Sequence, residues 1–125
     1  MEKLHFLASE YTPQVYFEPE LNIYLIEGFS FPNDPIKFYN PIFEWLKDFL
    51  EVFDNSTKID FNFKLNYFNT SSSKQIAKFF KMIEASESKK NIVVNWFYDE
   101  EDLDMLDAGY RFEKLIKINF DFRKN

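Results

Sequence analysis

Between Lys58 and Phe68, apolar and polar residues alternate without a break: Ile59, Phe61, Phe63, Leu65 and Tyr67 interleave with Asp60, Asn62, Lys64 and Asn66. Successive side chains of a strand point to opposite faces, so this run predicts a strand with one buried face and one facing water or a thin polar layer. Two shorter runs, Gln14–Phe17 and Asn22–Glu27, are rich in aromatic and β-branched residues and flank the turn-like Glu18-Pro19-Glu20-Leu21. They predict a β-hairpin, to which Leu4–Ala8 adds an edge strand. Ile92–Tyr98 reads as a further strand. Lys114–Phe122, with Ile116, Ile118, Phe120 and Phe122 on one face, reads as the last.

The remaining apolar residues follow the helical period. Phe43, Leu46, Phe49, Leu50 and Phe53 form one broad stripe with Trp45 at its edge. Asp34-Pro35, after a loop over Gly28–Asn33, supplies an N-cap and a first-turn proline. Pro41 predicts a kink, and Asp54-Asn55-Ser56 an end. Gln75–Ala85 places Ile76, Phe79, Phe80 and Ile83 on one helical face, and Ser86–Lys90 breaks the pattern. A short acidic helix over Glu101–Ala108 is expected to stop at Gly109, read as the residue just past its C-cap. The succession is a β-hairpin and then β-α-β-α-β-α-β. This predicts an α/β fold with a single mixed β-sheet, mostly parallel, extended by the antiparallel hairpin. No repeat, linker or low-complexity tract divides the chain, so residues 1–125 read as a single domain.

Composition narrows the chemistry. Hydrophobic residues make up 46% of the 125 and aromatics 21%, enough for a real core. Lys and Arg number 15 against 21 Asp and Glu, a net charge of −6. That balance speaks against binding nucleic acid, which needs a basic face, and against an anionic membrane surface. There is no Cys, and the only His is His5, expected on the surface. Thiol catalysis, disulfides, thiolate metal sites and histidine-based acid–base pairs are thereby set aside. With two glycines there is neither a phosphate-cradling loop nor a nucleophile elbow. No catalytic set, cofactor or metal is therefore expected. The N-terminus lacks a basic segment followed by an apolar run, and no stretch approaches a membrane span, so a cytoplasmic protein is expected.

Three features could still carry function. Asp99, Glu100, Glu101, Asp102, Asp104 and Asp107 lack the ligand spacing and central Gly of a calcium loop. They read as a solvated helix start, or as part of a partner surface. The aromatic excess reads as core; the alternative is a pocket in a small-molecule-binding domain or a carboxylate-based hydrolase. The third is Asn69-Thr70-Ser71-Ser72-Ser73-Lys74-Gln75, which joins the 58–68 strand to the next helix. Ser72 and Gln75 have capping-box spacing, which would leave Thr70 and Ser71 just outside the helix with free hydroxyls at the positive end of its dipole. The segment can be simply a cap and turn, or a place where a phosphate is well received.

The chain also resembles the SiaC family of regulatory phosphoproteins, which are similar in fold and logic to STAS-type anti-sigma-factor antagonists. The match runs in order through Thr12-Pro13, Phe17-Glu18-Pro19, Gly28-Phe29-Ser30-Phe31-Pro32-Asn33 and Phe38-Tyr39-Asn40-Pro41. It continues through Trp45-Leu46, Leu65-Asn66-Tyr67-Phe68-Asn69-Thr70-Ser71-Ser72, Trp96-Phe97-Tyr98-Asp99-Glu100-Glu101-Asp102 and Asp104-Met105-Leu106. The resemblance implies a STAS-like fold, Thr70 as phosphoacceptor with Ser71 a minor one, and partner contacts at Asn69, Thr70, Ser71 and Ser72. It implies a protein kinase and a PPM-type phosphatase acting on Thr70. It also implies an effector protein, such as a diguanylate cyclase, engaged by the unphosphorylated form. Gly109-Tyr110-Arg111 departs from the family pattern, where an acidic pair follows the glycine, so contacts at that corner are expected to differ.

Overall fold

The computed structural model describes residues 1–125. Its centre is a six-stranded mixed sheet whose strands lie side by side in chain order: β1 (Leu4–Phe6), β2 (Gln14–Glu18), β3 (Ile23–Ser30), β4 (Ile59–Phe68), β5 (Ile92–Tyr98) and β6 (Asn119–Lys124). β1 and β3 pair antiparallel with β2, while β3 to β6 are all parallel. The three parallel crossovers are helices α1 (Pro35–Val52), α2 (Thr70–Glu84) and α3 (Leu103–Leu115).

All three helices cover the same face. A lateral row of that face runs Val15, Ile26, Phe63, Trp96 and Phe122, each the register partner of the next. Against it and its neighbours pack Trp45 and Phe49 of α1, Phe79 and Phe80 of α2, and Phe112 of α3. The core is one cluster of 25 buried residues, dominated by rings that meet tilted or edge to face. Both indole N–H groups are satisfied: Trp45 donates to the Glu2 carbonyl at the edge of the core, at 2.9 Å, and Trp96 to the buried Met105 carbonyl at 2.8 Å. The opposite face of the sheet carries the polar half of the alternation. There Asn95 donates to Asp60 Oδ1 and Asn62 Oδ1, a thin polar layer. No helix is long and apolar enough to cross a membrane.

Several boundaries differ from the sequence reading for local reasons. β3 runs on through Gly28 to Ser30 instead of giving way to a loop at Gly28. Gly28 has φ +119°, a conformation L side chains rarely adopt, and sits where the β3–β4 register shifts. That shift leaves Asn66 as an extra residue on β4. The alternation therefore slips: Tyr67, expected inside, is 50% exposed, and Phe68 turns inward onto Trp96 and Phe112. α1 begins where expected, with the Asp34 carboxylate accepting from the Lys37 N–H, and continues as one helix across the exposed Pro41.

α3 does not stop at Gly109 but continues to Leu115, so β6 begins at Asn119 and not at Lys114. Gly109 is buried against Trp96 and Phe122, and its lack of a side chain serves close packing of helix on sheet, not a helix end.

Candidate functional site

The segment from Asn69 to Ser73 stands at the C-terminal end of β4, and the structure assigns each polar group a distinct place. Asn69, not Ser72, is the N-cap of α2. Its side-chain oxygen accepts from the Ser72 N–H at 2.9 Å, and its backbone carbonyl accepts from the Ser73 N–H at 2.9 Å. The Asn69 N–H in turn donates to the Ser30 carbonyl, tying the cap to the end of β3. Moving the cap three residues upstream draws Thr70 and Ser71 into the first helical turn, where both are exposed. Ser72 is fully buried, so its hydroxyl offers nothing to a partner, contrary to the expectation that it forms part of the contact surface.

Ser72 ends a buried chain of hydroxyls. Ser30 Oγ donates to Ser72 Oγ at 2.9 Å and lies 2.6 Å from Tyr39 Oη. Ser30 has a single hydrogen and gives it to Ser72, so the Tyr39 phenol is the donor to Ser30. This chain joins α1, the end of β3 and the first turn of α2. Burial pushes the Tyr39 phenol up to about 12, although the two serine hydroxyls partly oppose the shift.

A phenol whose pKa is raised in the folded state stabilises the fold fully below its unfolded value near 10 and loses that contribution as pH rises towards 12. The urea midpoint should therefore fall between pH 10 and 12, and Tyr39→Phe should flatten this alkaline limb. At neutral pH the same change should cost about 1 kcal/mol, because Ser30 loses its donor. Asn69→Ala should likewise cost about 1 kcal/mol as a lost cap, read from the urea midpoint.

Around Thr70 lie features the alternation pattern hid. Tyr11, Phe29 and Tyr67 are each about half exposed, and Phe31 joins Tyr11 to Tyr67 through edge-to-face contacts at 5.3 and 5.9 Å. The signal for this patch was the register shift, which no sequence period announces. The acidic run is split among structural tasks: Asp102 caps α3 through the Met105 N–H, Asp99 accepts from Asn125, and Glu100 pairs with Lys124. Asp102 and Asp104 also border a groove of about 280 Å³ with Asn66, Tyr67 and Phe68. No three His, Asp or Glu side chains converge as a metal site would require.

The larger groove, about 640 Å³, opens beside Asn22, Asp54 and Ile59, at the far end of β4 from Thr70. A strand of β4's length puts about 30 Å between the two. His5 is exposed and stacks on Tyr16.

A family model described as SiaC family regulatory phosphoprotein matches residues 6–125. Apo-SiaC from Pseudomonas aeruginosa is similar with a TM-score of 0.87 at 19% identity, over 98% of this chain and 99% of that one. The crystal structure of the diguanylate cyclase SiaD in complex with its activator SiaC, from the same organism, matches with a TM-score of 0.86 at 19% identity, over 98% and 99%. No curated protein sequence matches the chain. At that identity the solved structures speak to the fold, and they confirm the mixed α/β sheet. The near full-length family match shows the family: this chain belongs to the SiaC family of regulatory phosphoproteins.

Proposed function

We propose that this chain is a phosphorylation-controlled protein-interaction switch in bacterial signalling, with Thr70 as its phosphoacceptor and Ser71 as a minor one. The observation that carries the reading is the division of labour among the hydroxyls: Thr70 and Ser71 project into solvent from the first turn of α2, while Ser72 is buried beneath them. A kinase can reach the first two and not the third. A phosphate on Thr70 meets the unpaired N–H groups and positive dipole end of the helix, so the fold tolerates it.

In this reading a protein kinase adds the phosphate, a PPM-type phosphatase removes it, and the unphosphorylated form binds an effector in the cytoplasm. Pseudomonas aeruginosa SiaC is an activator of a diguanylate cyclase, which supports an effector of that class here. The chain acts by docking, with no chemistry of its own. The docking edge comprises Asn69, Thr70 and Ser71 with the exposed rings of Tyr67 and Phe29 beside them. Half-exposed aromatics rimmed by polar groups are suited to an interface centre.

Phosphate would add about −1.5 to −2 charge and three acceptor oxygens at that edge without needing a change of fold. Mass spectrometry of the protein purified from its host should find phosphate mainly on Thr70, a minor fraction on Ser71 and none on Ser72. Phosphate chiefly on Ser72 or Ser73 would overturn the assignment.

A further inference from the structure

A cation stands beside this edge with nothing to bind. Arg111, on α3, borders three adjoining grooves: one of about 280 Å³ shared with Asn66, Tyr67 and Phe68, one of about 160 Å³ shared with Phe68 and Ser73, and one of about 320 Å³ shared with Asp107 and Lys114. It is exposed and makes no ion pair; the two in the molecule are Arg123–Asp121 and Lys124–Glu100. Its guanidinium therefore lies free on the wall that α3 presents to the end of β4 and the start of α2. Thr70 lies on that side of α2. Thr70, Ser73 and Ala77 follow the i, i+3, i+7 spacing of a single helical face. The same stripe runs on to Phe80, which packs on Phe112, the neighbour of Arg111, at 5.3 Å.

Resting on the phosphoacceptor role of Thr70, we propose that Arg111 is the intramolecular partner of the Thr70 phosphate, clamping α2 to α3 across the groove in the phosphorylated state. The competitors for the guanidinium are Asp102 and Asp104, on the same groove, and Asp107 and Glu113, on the next one. Asp102 is already committed to capping α3, the other three are exposed, and an exposed carboxylate pair is worth little. A phosphate carries up to twice the charge and matches the planar guanidinium fork with two oxygens at once, so it wins the arginine. The clamp covers the Phe68–Ser73 groove and takes a free cation out of the docking edge. The phosphorylated surface then differs from the resting one in shape as well as in charge.

The test uses full-length protein carrying phosphothreonine installed at position 70 during synthesis, so it is independent of whether any kinase modifies Thr70. The second ionisation of the phosphate, about pH 6 when unperturbed, is followed by ³¹P NMR. The helix terminus acts equally on every variant, so differences between variants isolate the side chains. Arg111→Gln should raise the value by about half a unit or more, and Arg111→Lys should restore part of the shift. Lys74→Gln, which removes the cation one turn along α2 from Thr70, should change it less. No rise in Arg111→Gln, or a larger rise in Lys74→Gln, would overturn the proposal and leave the phosphoacceptor assignment untouched. Absence of phosphate at Thr70 in the host, with the Arg111 shift intact, would instead remove that assignment alone. Arg111 is exposed, so its variants should keep the wild-type urea midpoint.

Discussion

Gly109→Ala should destabilise the protein by about 3 kcal/mol, read as a fall in urea midpoint with an unchanged slope. A β-carbon built at Gly109 falls 2.5 Å from Trp96 Cδ1 and 2.7 Å from both Trp96 Nε1 and Phe122 Cε1. Real contacts of that kind are never so short, so something must move. Trp96 cannot yield cheaply: it is 1% exposed, wedged among Phe63, Phe68, Phe80 and Phe112, and its N–H is held by the Met105 carbonyl of the same helix. Relief requires α3 to lift from β5 and β6, which opens the core along its length. A loss below about 0.5 kcal/mol would show that α3 is not held at this distance.

Gly109 also shows why part of this fold was legible in the sequence and part was not. The paired period-two and period-3.6 patterns located β4, β5, α1 and the body of α2, because burial against one face repeats along an element. Glycine near the end of an acidic helix looks like a stop, since helices commonly end on it. Here the deciding contact is with Trp96 and Phe122, residues remote in sequence, and local pattern holds no trace of them. The same limit applies to Tyr67, whose exposure follows from the register shift across from Gly28. At the candidate site the hydroxyl run itself was visible, but its order was not. Asn69 and Ser72 are both good caps by residue type, and the choice was made by the buried Ser30 hydroxyl, itself held by Tyr39, which claims Ser72 from another element. The free Arg111 could be seen only as a departure in sequence; its groove exists only in three dimensions.

Thr70→Glu should weaken binding to the effector by ~2 kcal/mol or more, about thirtyfold in affinity, while Thr70→Ala should bind as the wild type does. Thr70 is exposed, and neither substitution removes packing, so both variants should keep the wild-type urea midpoint. The carboxylate lands on the first turn of α2, directly after its Asn69 cap, at the centre of the proposed edge, in a chain already at −6. Glutamate carries one charge where phosphate carries nearly two, so the mimic should fall short of the modification itself. Thr70→Ala isolates the charge from the loss of the hydroxyl: if alanine weakens binding as much as glutamate, the hydroxyl makes the contact and added charge is not the switch.

The most direct measurement is calorimetry of the full-length chain against a diguanylate cyclase from the same bacterium, with one sample unmodified and the other stoichiometrically phosphorylated on Thr70. A saturable complex for the unmodified chain, and affinity at least thirtyfold weaker for the phosphorylated one, is the predicted result. Equal affinities for the two forms would contradict the account at its centre.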